Sequence, residues 1–147
     1  MLRQEWTVLA IDAEPAAIAR LKDRPDLPGA SKLDLRCARF EETHWPTADL
    51  VNASFSLPLC PPALFPDLWR RICQSLKIGG RFAGQFYGMH DSWSESLETT
   101  HLRRNEIETL FANFALEFFE EEETDALTPK GRIKHWHIFH LVGKKIR

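Results

Sequence analysis

The chain has 147 residues, of which 44% are hydrophobic and 27% charged, and its formal net charge is -2. A chain of this length is expected to form one domain, 1–147, with a sizeable buried core. The balanced charge shows no bias towards nucleic acid or an anionic membrane, so we expect a small-molecule ligand. No apolar run approaches the roughly 18 residues of a membrane span, and the N-terminal residues lack the apolar region of a signal peptide. These features predict a cytoplasmic protein.

The stretch from Trp6 to Pro15 is typical of a buried parallel strand that turns into a helix. Five of the six residues from Trp6 to Ile11 are apolar, Asp12 follows them, and Pro15 suits the first turn of a helix. Ligands of open α/β sheets bind at the carboxyl ends of strands, so Asp12 is a candidate to bind the two hydroxyls of a ribose. The alternative is that Asp12 only caps the helix start at 14–16. This stretch by itself favours neither interpretation.

The middle of the chain alternates between helix and strand patterns. The predicted elements, in order, are a helix over Pro15–Lys22 stopped by Arg24–Gly29, a strand over Lys32–Phe40 towards a sheet edge, a strand over Asp49–Ser56, a helix from about Pro66 to Lys77, and a strand over Arg81–Tyr87. Gly79 and Gly80 are predicted to end the second helix. Such alternation is typical of a parallel sheet in an α/β protein.

The C-terminal part of the chain predicts a loop, a helix and a hairpin. Met89–Glu95 shows no periodicity and is rich in groups able to do chemistry. Asn105–Glu108 resembles a capping box that opens a helix. Ala115–Asp125 and Lys134–Lys144 are two extended stretches around Thr128–Gly131, which has the composition of a hairpin turn. An antiparallel hairpin is therefore expected to close a sheet that is parallel up to that point.

Together these elements resemble a class I S-adenosylmethionine-dependent methyltransferase, and the resemblance covers nearly the whole chain. It is carried by the strand ending at Asp12, the strand entering Asn52–Ser56, the segment Leu76–Phe82, and the hairpin that ends at Val142. The hairpin matters most, because a nicotinamide-binding Rossmann domain does not normally finish in one. The resemblance implies an α/β fold: a Rossmann-like three-layer sandwich whose mostly parallel sheet ends in an antiparallel C-terminal hairpin.

The first strand–helix unit of such methyltransferases is missing from this sequence. Family members begin with a strand and a Gly-x-Gly-x-Gly loop, whose glycines let backbone amides approach the methionine part of the cofactor. Here no two glycines are separated by a single residue, and only about five residues precede the first strand, where a strand, loop and helix need roughly 30. The loss would leave two unpaired strand edges in the sheet. We expect these edges to pair with each other or to be covered by a partner subunit, as in a homodimer.

The resemblance also implies a cofactor, S-adenosylmethionine, and a small molecule as methyl acceptor. The cofactor-binding residues that it implies are Asp12 and Ala13 at the ribose, Arg39 and Phe40 at the adenine, and Asn52, Ala53 and Phe55 beneath the sulfonium. Arginine cannot accept a hydrogen bond from the adenine amine, which departs from the family pattern at Arg39. For Asn52, capping of its own loop is an equal alternative.

Methyl transfer needs mainly alignment of the nucleophile and exclusion of water, because the leaving thioether is already activated. A catalytic base is therefore optional. If one acts, the candidates are Tyr87, His90, Asp91 and His101, which follow the predicted strand over Arg81–Tyr87 or end it. The alternative for each is a solvated loop residue.

The histidines of the final strand do not predict a metal site. His135 and His137 lie on one face of a strand and His140 on the other, so the three do not converge. The run Glu120–Glu123 is interpreted as a solvated strand end whose charge protects an exposed edge. We therefore expect no metal ion.

Three classes of function stay open. The resemblance favours a small-molecule methyltransferase, with weak or absent cofactor binding by this chain because the glycine-rich loop is missing. The second is a non-catalytic methyltransferase-like protein that acts through binding or assembly. The third is an NAD-dependent oxidoreductase, since nicotinamide-binding Rossmann domains also end their second strand in an acidic residue.

Overall fold

The computed structural model describes residues 1–27, 32–128 and 130–147. It divides into two compact units, Met1–Trp45 and Pro46–Arg147. Within the described ranges no helix is long and apolar enough to span a membrane.

The first unit consists of strand β1, Val8–Asp12, helix α1, Pro15–Lys22, and strand β2, Leu33–Cys37. The two strands pair in parallel, which agrees with the predicted crossover through a helix. Helix α1 has the predicted bounds because Pro15 occupies its first turn, where no backbone N–H is needed. Pro28 and Gly29 of the predicted helix stop lie outside the described residues.

Strand β1 is only half-buried, so the prediction of a buried strand is wrong in this respect. Val8–Ile11 are partly accessible, Trp6 is 40% exposed and lies before the strand, and Asp12 is exposed. A strand becomes fully buried only when layers cover both of its faces. Two strands and one eight-residue helix cannot supply those layers.

The second unit contains the C-terminal sheet and the buried core. Its elements are β3, Ala48–Ala53; α2, Phe65–Ser75; β4, Leu76–Tyr87; α3, Arg104–Leu110; β5, Phe114–Leu127; and β6, Ile133–Lys145. The strand order is β3-β4-β6-β5, with β3 parallel to β4 and the other two pairings antiparallel. The predicted change from parallel to antiparallel at the C-terminal hairpin is confirmed. Pro129 of the hairpin turn lies outside the described residues.

Helix α2 ends earlier than predicted, at Ser75, and β4 begins directly afterwards. Gly79 and Gly80 therefore lie inside a strand, where the pairing between β3 and β4 shifts register. Gly79 has φ +83, and a Cβ on Gly80 would lie 2.9 Å from the carbonyl oxygen of Lys77. The two glycines permit an irregularity of the strand and do not end the helix, which corrects the prediction.

Helix α3 begins at Arg104, and its capping contact lies earlier than the predicted Asn105–Glu108 box. The carboxylate of Glu106 accepts the backbone N–H of Arg103 at 2.6 Å. A guanidinium has only donor atoms, so the side chain of Arg103 cannot accept a backbone N–H of the helix. Only the glutamate half of a capping box is therefore formed here.

Aromatic side chains dominate the core of the second unit. Phe82 and Phe86 on β4 are almost completely buried, and so is Phe139 on β6. The ring of Trp69 on α2 lies 5.1 Å from that of Phe82, in the edge-to-face geometry that aromatic pairs prefer. The buried face of this helix, which carries Phe65 and Trp69, therefore packs into the core.

Within the described part of the chain, each of the two sheets ends at a strand that has one strand neighbour. In the described residues β1 pairs with β2 as its strand neighbour, and β3 pairs with β4. The prediction that the two edges pair directly with each other is therefore wrong. The other predicted route, coverage by a partner subunit, stays a prediction.

Candidate functional site

Asp12 stands at the carboxyl end of β1, immediately before α1. Its Oδ1 accepts the backbone N–H of Glu14 at 2.8 Å, and Glu14 is itself the N-cap residue, accepting the N–H of Ala16 at 3.2 Å. Among the described residues, Oδ2 of Asp12 has no hydrogen-bond partner. Asp12 thus contributes to the turn with one oxygen, and the other can accept from a ligand hydroxyl.

The other predicted residues of the first unit lie at the same end of its sheet. The backbone N–H of Ala38, just after β2, donates to the carbonyl of Asp12 at 3.0 Å. The segment carrying Arg39 and half-buried Phe40 therefore begins beside the end of β1. The guanidinium of Arg39 is bound by Glu41, with Nε to Oε1 at 2.6 Å. The side chain of Arg39 is 51% exposed and that of Glu41 is 4% exposed. A contact of Arg39 with adenine stays a prediction.

The predicted residues of the second unit stand where β3 ends. Asn52 is exposed and Ala53 is buried, and the strand stops there, three residues before the predicted end. Phe55 follows with a positive φ of 49 and a ring that is 45% exposed. Its backbone N–H donates to Oε1 of Gln85 at 2.9 Å. A bulky residue in the left-handed region is strained, and such strain is concentrated at functional sites.

Asp91 is a buried carboxylate in the loop after β4, so the alternative of a solvated residue is wrong for it. Lys134 of β6 donates to its Oδ2, and the backbone N–H of Trp93 donates to Oδ1 at 2.9 Å. The side chains of Asp91 and Lys134 are 0% and 3% exposed. The loop and the last strand are therefore joined by a buried ion pair.

Three aromatic rings surround the Lys134 ammonium. Nζ lies 3.7 Å from the ring centroid of Trp136, 4.5 Å from Trp93 and 5.0 Å from Tyr87. Cations over aromatic faces gain most when they are desolvated, as here. The sequence contains one indication of this arrangement. Lys134, Trp136 and Ile138 are two residues apart along β6, so they lie on the same face of the strand. A lysine on such an apolar face needs a carboxylate partner.

Asp91 is too acidic to serve as a base. Burial by itself would raise the pKa of Asp91, but His101, Lys134 and the amide of Trp93 together lower that pKa to about 2. A base works best when its pKa lies near the working pH. Asp91 is therefore a fixed negative charge.

The imidazole of His101 is buried, and its ring nitrogens lack hydrogen-bond partners among the described residues. Its side chain is 3% exposed, and Nε2 lies 3.7 Å from Oδ1 of Asp91. Within the described residues both ring nitrogens are buried without a hydrogen-bond partner. Such atoms are costly to bury and require an explanation. Of the four predicted base candidates, His101 has a buried nitrogen available for a proton, whereas the side chain of His90 is 68% exposed.

Tyr87, the single tyrosine of the sequence, provides a direct test of this region. Burial, with the nearby charge of Asp91, raises its pKa to about 12. We expect an ultraviolet titration of tyrosinate to give a midpoint near this value, and near the ordinary value of about 10 after unfolding in urea. Because only the unfolded chain ionises between these values, stability should fall as the pH rises from about 10 to about 12. A native midpoint near 10 would contradict the buried position.

No protein-family model and no curated protein sequence matches this chain. Solved structures do match. TehB from Haemophilus influenzae gives a TM-score of 0.76 at 10% identity, over 94% of this chain and 49% of that one. The 1,6-didemethyltoxoflavin-N1-methyltransferase of Burkholderia thailandensis, solved with S-adenosylhomocysteine, gives a TM-score of 0.68 at 18% identity. The match covers 99% of this chain and 64% of that one. The N-methyltransferase NodS of Bradyrhizobium japonicum, in complex with S-adenosylhomocysteine, gives a TM-score of 0.68 at 13% identity. The match covers 95% of this chain and 66% of that one.

These comparisons show the fold. The chain has the α/β fold of S-adenosylmethionine-dependent methyltransferases, which confirms the predicted fold class. It spans 49% of the length of TehB and 64% of the length of the Burkholderia enzyme.

Proposed function

We propose that this chain belongs to an S-adenosylmethionine-dependent methyltransferase that acts on a small molecule. The observation that carries the proposal is the carboxylate of Asp12, which ends a parallel strand of a methyltransferase fold and keeps one oxygen unpartnered among the described residues. That oxygen fits the hydroxyls of a ribose, which are donors. The structural neighbours solved with S-adenosylhomocysteine support the same cofactor.

Each unit by itself carries residues proposed to contact the cofactor. Asp12, with Ala13 beside it, would hold the ribose, and Phe40 would supply an apolar contact for the adenine. Asn52, Ala53 and Phe55 are proposed for the methionine side. When bound, S-adenosylmethionine supplies a methyl group already activated for transfer, so the chain has only to orient the acceptor and exclude water.

We propose His101 as the group that takes up a proton from the acceptor. The carboxylate of Asp91, 3.7 Å from Nε2, favours a proton on that nitrogen. Nδ1 is then the proton acceptor. A hydroxyl or amine of the methyl acceptor would supply the partner that Nδ1 lacks in the described residues. Asp91 acts here as a positioning residue.

A non-catalytic assembly role is the second candidate. Strands β1 and β3 each have one strand neighbour in the described residues, and no apolar side chain described in Met1–Trp45 is fully buried. Unpaired edges and half-covered strands favour a covering partner, and a second copy of this chain is the proposed one. The third class, an NAD-dependent oxidoreductase, has no comparable observation in its favour.

The test is a titration of the purified chain with S-adenosylhomocysteine and, separately, with NAD, followed by NMR to millimolar ligand. Saturable shifts with S-adenosylhomocysteine alone would support the methyltransferase. Shifts with NAD alone would overturn it in favour of an oxidoreductase. No binding of either ligand, with a dimer in sedimentation, would favour the assembly role over the methyltransferase, and no binding by a monomer would favour neither candidate.

A further inference from the structure

We propose that this chain binds a divalent transition-metal ion, represented by zinc, through His90, Glu123 and His137. Each residue offers one ligand atom, and these atoms lie within 4.8 Å of one another. Zinc binds imidazole nitrogen and carboxylate oxygen at about 2.0–2.2 Å, commonly with four ligands. Two imidazoles and one carboxylate would therefore leave one position for water.

The three residues come from three different parts of the second unit. Glu123 of β5 and His137 of β6 are directly opposite each other in the antiparallel pairing, so their side chains share a face. The turn that carries His90 is held against β6, because the backbone N–H of Gly88 donates to the carbonyl of His137 at 2.7 Å. A Cβ on Gly88 would lie 2.2 Å from Nδ1 of His137. Glycine at this position therefore lets the turn lie directly against the imidazole.

The hydrogen bonds of His137 hold it in the form that binds metal. Nδ1 accepts the backbone N–H of His90 at 3.1 Å, so Nδ1 carries no proton and Nε2 carries one. Nε2 lies 2.9 Å from Oε1 of Glu121, to which it donates. A carboxylate behind a ligating histidine is the usual outer-shell arrangement of protein metal sites. Metal binding would replace the amide hydrogen bond at Nδ1.

Glu123 is oriented in a similar way. Its Oε2 lies 3.4 Å from Nδ1 of His90, and its Oε1 lies 3.0 Å from Nε2 of His135. The other ring nitrogen of His135 lies 2.8 Å from Oδ1 of Asp125. One oxygen of Glu123 thus faces His90 while the other is held in place. His90 and Glu123 are 68% and 45% exposed, so an ion can reach both from solvent and both can move to coordinate it.

In the sequence argument against a metal site, the three histidines of β6 and the run Glu120–Glu123 are treated separately. The histidines do not converge, as predicted: Nε2 of His140 lies 2.9 Å from Oε2 of Glu122, on the opposite face from His137. What that argument missed is His90, which is 33 residues from Glu123 in the sequence. The pair of Glu122 and His140 provides a matched control, since among the described residues it offers a carboxylate and an imidazole without a third ligand.

The experiment is a calorimetric titration of the full chain with zinc chloride at neutral pH, after dialysis against a chelator. We expect one zinc ion per chain with a micromolar or lower Kd. Glu123→Gln and His90→Asn should each weaken binding at least about tenfold, and Glu122→Gln should leave it unchanged. The two test positions are exposed, so these variants should fold. The buried His137 is left intact for the same reason.

Three results would overturn the proposal: no saturable binding, a stoichiometry well below one, or equal weakening by Glu122→Gln and Glu123→Gln. A zinc-induced rise in the thermal midpoint of the wild-type chain, absent in Glu123→Gln, would be an independent supporting result. None of these measurements depends on methyltransferase activity, so the two proposals fail or succeed separately.

Discussion

Replacement of Asp91 by asparagine is expected to lower the free energy of unfolding by about 3–5 kcal/mol. The variant removes the negative charge that pairs with the Lys134 ammonium. The side chain of Lys134 is only 3% exposed, so water cannot replace that partner. Breaking a buried ion pair by removing one partner is costly because the remaining charge is poorly solvated. Urea denaturation followed by tryptophan fluorescence measures the change.

The partner variant and an exposed pair give the controls. Lys134→Met alone should also destabilise the chain, but Asp91→Asn combined with Lys134→Met should cost less than the sum of the single changes, because no unpaired charge remains. Lys77→Met breaks a pair with Asp49, 2.9 Å long, whose side chains are 53% and 64% exposed. That change should cost less than about 1 kcal/mol. Strict additivity in the double variant would contradict a coupled buried pair.

This ion pair also determines the position of the candidate chemistry. Asp91 joins the loop after β4 to β6, and the proposed metal ligand His90 is its neighbour in the sequence. The buried ring of His101 lies 3.7 Å from the same carboxylate. Loss of the pair should therefore disturb both proposed sites, and variants of either site need a stability measurement before their binding data are interpreted.

Local patterns predicted the elements well where one residue determines the outcome. Pro15 fixes the start of α1, and the helix has the predicted bounds. The sequence predicts a helix end at Gly79 and Gly80, because glycine is common just after the last residue of a helix. Whether glycines end a helix or permit an irregular strand depends on the strand opposite, and the pairing with β3 is a long-range contact.

In the candidate site too, local features could be predicted from the sequence and long-range contacts could not. Asp12 could be identified because its position at a strand end is local. The pair of Asp91 and Lys134 spans 43 residues. His90 meets Glu123 through a contact that spans 33 residues and depends on the pairing of β6 with both β4 and β5. A pattern of alternation shows which face a side chain occupies, but not which loop packs against that face. Such contacts therefore required the structure.

Asp12→Asn is expected to weaken binding of S-adenosylhomocysteine about 10- to 100-fold, on the scale of about 1.5–3 kcal/mol for hydrogen bonds to a charged group. Asparagine keeps an oxygen that can accept the Glu14 amide, so the turn into α1 is preserved. It loses the charge and the second carboxylate oxygen, which are the features proposed to bind the ribose. The measurement is the NMR titration, repeated for the variant.

Two further variants separate cofactor binding from folding in the same unit. Asp12→Ala also removes the oxygen that accepts the Glu14 amide, and it should abolish binding with a loss of stability of about 1 kcal/mol. Asp34→Asn removes a carboxylate of β2 that pairs with Arg36 at 3.0 Å and is 58% exposed; it should leave binding unchanged. Wild-type affinity in Asp12→Asn, or equal losses in Asp12→Asn and Asp34→Asn, would remove Asp12 from the ribose site. The methyltransferase proposal would then have lost the observation on which it depends.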